Sequence, residues 1–393
     1  MHKILITEDI ESMKARVIAY YLPQFHPIPE NDAAWGPGFT EWTNVAQARP
    51  LFRKHYQPRI PADLGFYDLR LPEVREQQAK LAREAGIEGF SYWHYWFGKG
   101  KMLLQRPFEE VLASGKPDYP FALTWANHDW TTATWQSKGN KQMIAKQEYP
   151  GVDDYVDHFN YCLPAFKDHR YIKVDGKPLF SVYDPYNFPD ISLFIKTWRQ
   201  LASENGIGDI FFVGLCKPTT TKRRREDGTI ERVLPNLNSS AEVYNSLLSL
   251  GFDALNPDGR PLAEMIYQGK YLRLALTTAQ KYCPWLPALR YNYAKVMPHY
   301  YAKEDSWDNI FPTIMPQWDR SPRSGAKDGI YVNATPENFQ KHVEHALQVI
   351  QDKKQEHQIL FLRSWNEWAE GNYVEPDLKY GHGFLEALKN ALI

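Results

Sequence analysis

The chain has 393 residues, 43% of them hydrophobic and 15% aromatic, with a formal net charge of −1. That length and apolar content suit one large α/β domain or two smaller ones, and near-neutral charge without a long basic tract argues against a nucleic-acid-binding face. No apolar run reaches the ~18 residues of a membrane span, and the opening MHKILITEDIESMKARV carries acids where a signal peptide needs an apolar core, so a cytoplasmic protein without membrane insertion is expected.

Taken in order, apolar runs alternate with amphipathic ones. ARVIAYYLP (15–23) reads as the first strand, after an N-terminal extension over 1–15. A long polar and aromatic segment, 24–68, leads to LPEVREQQAKLAREAG (71–86), where Val74, Leu81 and Ala85 line one helix face and Gly86 ends it. Strands follow at 86–96 and 120–127, a helix at 153–166, a strand at 177–185 and a helix at 192–206. Further strands are expected at 209–216, 251–257, 310–319 and 358–368. A helix over 335–354 opens on a Thr335 cap with Pro336 in its first turn, and 383–392 closes the chain. The mixed-charge run 221–232 sits in an excursion (217–238) that reads as a solvated loop.

Eight apolar strands alternating with helices indicate a parallel sheet covered on both faces, and eight units favour a closed (β/α)8 barrel over residues 16–393 with long βα loops. No GxGxxG follows a strand, which removes the main support for a dinucleotide fold. Cys162, Cys216 and Cys283 are too dispersed for a disulfide framework or a metal knuckle.

In such barrels chemistry sits at the C-terminal ends of the strands. Ten of the 13 tryptophans fall there: Trp35, Trp42, Trp93, Trp96, Trp125, Trp130, Trp135, Trp318, Trp365 and Trp368. An aromatic rim interleaved with His26, Glu41, Asn44, His94, Asn127, His128, Asp129, Asp184, Asp319 and Asn366 suits carbohydrate, whose rings stack on one face and hydrogen-bond at their edges. Tyr20, Tyr21, Tyr95 and Tyr183 join the expected substrate-binding set, with His26, Trp42, Trp93, His94, Trp125, Asn127, Asp129, Trp318, Asp319, Trp365, Asn366 and Trp368.

The segment SWNEWAEG places Glu367 and Glu370 three apart just past strand 8, framed by Trp365 and Trp368. One helical turn would aim both carboxyls to the same side. Glycosyl transfer to water needs such a pair, one protonating the leaving oxygen and one acting as base or nucleophile, and dry surroundings raise the pKa of the acid. A plain helix N-terminus also favours acids, but leaves the two tryptophans without a reason. His26 and His94 lack an HxH or HExxH context, so sugar hydrogen bonding is expected of them and no metal or cofactor. No GxSxG or GxxxxGK[ST] is present.

YYLPQFHPIPENDAAWGPGFTEWTNV, GFSYWHYWFGKGKMLLQRPF, WANHDW, MPQWDRSPR and SWNEWAEGNYVEPD together resemble glycoside hydrolase family 99-like proteins of the WbsX type, over roughly residues 16 to 392. The resemblance implies a (β/α)8 barrel and a retaining endo-α-mannosidase-like activity on an oligo- or polysaccharide. It implies that Glu367 is the base that deprotonates the substrate's 2-hydroxyl, giving a 1,2-anhydro sugar, and that Glu370 is the general acid and then base. His128 stands where members of the family often carry Glu, so contacts near strand 3 are expected to differ. Two other readings stay open: a glycosyltransferase of surface polysaccharide synthesis, against which stands the lack of any Asp-x-Asp, and a non-catalytic carbohydrate-binding protein.

Overall fold

A computed structural model describes residues 13–135, 141–219, 222–224, 230–232, 236–283 and 285–393. Its centre is one parallel sheet: β1 (Arg16–Tyr21), β2 (Gly89–Trp96), β3 (Phe121–Trp125), β4 (Lys177–Val182), β5 (Phe211–Cys216), β6 (Ala254–Pro257), β7 (Thr313–Ile314) and β8 (Ile359–Leu362). The strand order is β6-β5-β4-β3-β2-β1-β8-β7, and a parallel bridge from Leu255 to Ile310 joins the two ends into a barrel. Every expected strand is present. These strands are buried along nearly their whole length, which is why their sequences read as continuous apolar runs instead of alternating ones.

Two strands are shorter than their apolar runs suggest. Only Thr313–Ile314 of 310–319 pairs as β7, and β8 stops at Leu362, so the part of each run beyond these strands becomes rim. Register is pinned by close packing at the barrel floor. A Cβ on Gly89, where Ile18 pairs with it, would lie 2.4 Å from the Pro120 carbonyl oxygen, so only glycine lets β2 approach there.

Helices cover the outside at Pro72–Glu84, Val152–Phe166, Ile191–Glu204, Pro336–Ile350 and Gly383–Leu392, each close to its expected span. The Thr335 hydroxyl caps the fourth by accepting from the Asn338 amide. The 24–68 segment is a βα loop with two short helices, Pro29–Trp35 and Glu41–Gln47, while the described part of the 217–238 excursion, expected as a loop, holds a short antiparallel pair, Lys222–Arg224 with Ile230–Arg232. Between β6 and β7 the chain inserts helices Arg260–Gln268 and Lys270–Tyr282 and a short strand, Arg290–Asn292, which pairs in parallel with Ile330–Val332 from beyond β7. A second apolar cluster that includes Tyr291, Tyr293, Tyr300, Met315 and Trp318 anchors this insertion to the barrel. Among the described residues no helix is long and apolar enough to cross a membrane.

The barrel seam relies on one side chain. Asn256 on β6 accepts from the Tyr20 hydroxyl at 2.7 Å and donates to the Phe311 carbonyl (2.7 Å) and the Thr313 hydroxyl (2.9 Å), tying β6 to β7 and to β1 across the lumen. Asn256→Leu would strand these buried partners, and we expect it to cost about 2–4 kcal/mol. Urea unfolding with an unchanged m-value and a lowered midpoint is the expected record.

Candidate active site

The end of β8 builds the site. After Leu362 the chain is held to β1: the Trp365 amide donates to the Tyr20 carbonyl, and the Asn366 side chain brackets Leu22, accepting from its amide (2.7 Å) and donating to its carbonyl (3.0 Å). The Ser364 hydroxyl accepts from the Glu367 amide at 2.9 Å. A single 3-10 turn, Trp368–Glu370, then swings Glu370 beside Glu367, and Gly371 at φ 61° ends it in the left-handed region. The expected helical turn is thus a tighter one, and both carboxyls still reach the same cavity, each 7% exposed.

That cavity, about 250 Å³, is walled by Trp93, Tyr95, Tyr183, Arg320, Arg323 and Arg363 around the two acids. Glu367 accepts from the Trp93 indole N–H at 2.9 Å. Glu370 accepts from the Arg323 Nη1 at 2.7 Å and lies 3.0 Å from the Arg320 Nε. Arg323 reaches with its other amino group to Glu41, a fully buried carboxylate that also accepts from the Ala369 amide at 3.1 Å. Arg323 therefore staples the 24–68 loop to the Trp368–Glu370 turn.

This unequal company separates the two acids. Burial, reinforced by the neighbouring Glu370 charge, raises the Glu367 carboxyl to about 8. Burial alone would raise Glu370 as well, but Arg320, Arg323 and Arg363 outweigh it and hold that carboxyl well below the usual range. Each carboxyl acts on the ionisation of the other. With both acids buried and the arginines gathered on Glu370, a proton shared by the pair is drawn toward Glu367.

A second cavity, about 360 Å³, shares Trp93, Tyr183 and Arg363 with the first and extends over Tyr20, Asn256, Asp258 and Arg260. Asp258 is clamped by Arg260 (2.6 Å) and Arg363 (3.1 Å), and the Arg260 guanidinium lies 3.3 Å from the Trp318 ring centroid.

Of the expected binding residues, the structure gathers Tyr20, Trp93, Tyr95 and Tyr183 around Glu367 and Glu370. Most of the other aromatic residues stand behind the rim. Trp365 and Trp368 do not flank the acids in the cleft: both are fully buried, Trp368 stacked on Tyr373 at 3.7 Å with its N–H on Glu375. Trp42 and Trp125 give their indole N–H groups to the Tyr67 and Trp96 carbonyls, and Trp318 is buried with Arg260 over its ring. Tyr21 donates to Gln78. An indole whose N–H is satisfied inside the protein acts as a core pillar, and its sequence position next to a strand end cannot distinguish the two uses.

The polar members divide likewise. Asn127 ties Tyr149 to Asp184, Asn366 clamps Leu22, and His26 is buried, with its pKa lowered to about 4 by burial. Asp129 accepts from the Gln147 amide at the surface. His94 points outward from the barrel, its Nε2 2.8 Å from that of His158. With Cys162 these make the one grouping of metal-type donors among the described residues, within 4.8 Å of one another. Burial holds both imidazoles neutral, His94 down to about 3, and Tyr161 stacks on His94 while Trp96 stacks on His158, an arrangement of a buried hydrogen-bonded pair. Asp319 lines a separate cleft, discussed below. Sequence reasoning missed the arginines Arg320, Arg323 and Arg363, although all three lie in or beside the segments MPQWDRSPR and FLRSWNEW.

The fold and the carboxylate pair define a glycoside hydrolase-like (β/α)8 barrel. The chain belongs to the family described as "Glycosyltransferase WbsX", whose sequence profile matches residues 17–388. It is 34% identical over 386 residues to the uncharacterized protein WxcX of Xanthomonas campestris pv. campestris, covering 97% of this chain and 50% of WxcX, so the chain spans about half the length of the curated relatives it matches. A glycoside hydrolase-like protein of known structure superposes with a TM-score of 0.59 at 15% identity, covering 96% of this chain and 94% of the other. The GH99 endo-alpha-mannosidase from Bacteroides thetaiotaomicron, solved with bis-Tris propane, does so at 0.54 and 13%, with 96% of each chain covered. At such identities these likenesses establish the family 99-like fold and nothing finer.

Proposed function

We propose that this protein is a retaining glycosidase acting on α-mannosidic or related linkages of a polysaccharide, with Glu367 and Glu370 as the catalytic pair. The observation that carries the reading is a buried carboxyl pair at the strand-8 rim, one acid against the Trp93 indole and the other between two arginines. A pair pushed apart in this way is how an acid and a base are assigned.

The charges favour an exchange of the roles implied by the resemblance. Glu367, which holds the proton, donates it to the leaving oxygen as the C1–O bond breaks. Glu370, ionised, takes the proton of the substrate's 2-hydroxyl while that oxygen closes on C1, giving a 1,2-anhydro sugar. Water then opens the ring, losing its proton to Glu367, and Glu370 returns the other proton to O2.

Product release from a panel of α-mannans and mannose-containing bacterial glycans tests the activity, and the pH profile of kcat/KM tests the assignment. Activity should fall as pH rises through about 8, where Glu367 loses its proton. Arg320→Ala removes a cation from Glu370 and so disfavours the doubly ionised pair, so the alkaline limb should move to higher pH, while the plateau falls as part of the shared proton passes to Glu370. An alkaline limb unmoved by that change would contradict the assignment. Transfer from a nucleotide-sugar donor with no glycan cleavage would instead establish the transferase reading.

A further inference from the structure

A cleft larger than the catalytic cavity lies on the far side of the segment that grips Glu370. Its volume is about 640 Å³. Gln317 and Asp319 face it, while the adjacent Arg320 faces the carboxylate pair, and the Asp319 amide donates to the Glu370 carbonyl at 2.7 Å. The two spaces are thus neighbours on one rim.

The lining of this cleft is strongly cationic. Arg53 and Lys54 come from the 24–68 loop, Arg290 from the insertion between β6 and β7, and Lys379 from the turn before the last helix. Among the described residues none of these four has a carboxylate within ion-pair distance. The acid in the wall, Asp319, is already satisfied: it is fully buried and accepts from His55 (2.8 Å), Gln57 (2.7 Å) and the Ser321 amide (3.0 Å), with Arg59 at 3.6 Å. The free cations lie against aromatic rings. Arg290 lies 5.1 Å from the Phe52 centroid, and Lys379 lies 4.7 and 4.6 Å from those of Tyr56 and Tyr380.

We infer that this cleft is a subsite for acidic sugar residues, so that the glycan acted on carries carboxylates such as those of hexuronic acids. The inference rests on the glycosidase reading and narrows its substrate class. Unpaired cations beside ring faces match a chain of pyranose rings, each with an apolar face and a single carboxylate at its edge. A nucleotide diphosphate would ask for a different device, with its phosphates gathered on a glycine-rich loop or a helix N-terminus. Here the charges are spread over three separate segments.

The test uses the full chain carrying Glu367→Gln and Glu370→Gln, so that binding is read without turnover. Calorimetry would compare oligomers of a hexuronate, their carboxyl-reduced counterparts, neutral mannooligosaccharides and UDP. We expect the uronate oligomers to bind, the reduced forms to bind at least about tenfold more weakly, and added salt to weaken only the former. Adding Arg53→Ala with Lys379→Ala should weaken uronate binding at least about tenfold. Both side chains are exposed, so an unchanged melting temperature would show that the loss is local. Equal affinity for charged and reduced oligomers, or uronate binding untouched by the double change, would overturn the proposal. So would tight binding of UDP with none of uronate. Uronate binding by a wild-type chain that releases product from no glycan would support the subsite and sink the glycosidase reading alone.

Discussion

Glu367→Gln is expected to lower kcat/KM on a natural glycan by about 10²–10⁴-fold while leaving the hydrolysis of an activated dinitrophenyl glycoside nearly intact. A good leaving group departs without a proton, so the loss of an acid matters only where the leaving oxygen is basic. Glu370→Gln should fail on both substrates, because the 2-hydroxyl then loses its base whatever the leaving group is. The alkaline limb near pH 8 should also disappear in Glu367→Gln. The reverse pattern, with Glu370→Gln sparing the activated substrate, would restore the roles that the family resemblance implies. It would mean that the arriving sugar, and not the arginines, decides where the shared proton sits.

The second large effect is expected from Arg323→Met. Arg323 lies between Glu370 and Glu41, both buried. Removing it leaves Glu41 without its cation, and breaking such a buried pair costs about 3–5 kcal/mol. The pH dependence has a definite sign. Burial raises the Glu41 carboxyl above its ordinary value, and Arg323 is the main influence opposing that rise. Without the arginine, the folded-state pKa climbs further above the unfolded one. Stability is then retained below the unfolded pKa and lost as pH rises through the folded one. Thermal unfolding should show the variant near wild type at about pH 4 and well below it at about pH 8. A deficit equal at both would show that the staple acts through packing and not through charge. Activity should fall as well, since the Glu41–Arg323 bond seats the 24–68 loop on the Trp368–Glu370 turn.

The barrel was legible because a parallel strand buried on both faces must be apolar throughout. β1, β2, β3, β4 and β5 meet that demand over five or more residues. The helices were legible from their one-sided apolar spacing and from caps such as Thr335. The ends of β7 and β8 were less so. Met315, Trp365 and Trp368 are as buried as any strand residue, yet they lie in the segments beyond β7 and β8, and apolarity records burial without recording pairing.

The site shows the same division. The residue types and spacing of Glu367 and Glu370, a step too short for a strand and right for one turn, are local properties that any reader of SWNEWAEG can weigh. Which of the two holds the proton is not local. It depends on Trp93 from β2 and on Arg320 and Arg323 from beyond β7, brought together across gaps of 274, 50 and 47 residues. The tryptophans mark the same limit from the other side. Their abundance at strand ends was plain in the sequence, but whether an indole faces the cavity or the core is set by packing. Trp368 found Glu375 and Trp125 found the Trp96 carbonyl, while Trp93 lines the cavity with its N–H on Glu367. The sequence by itself determined the barrel, its rim and the acids on it. Only the tertiary structure decided the charge each acid carries, because a carboxyl's ionisation follows the cations and the water within a few ångströms of it, wherever in the chain they originate.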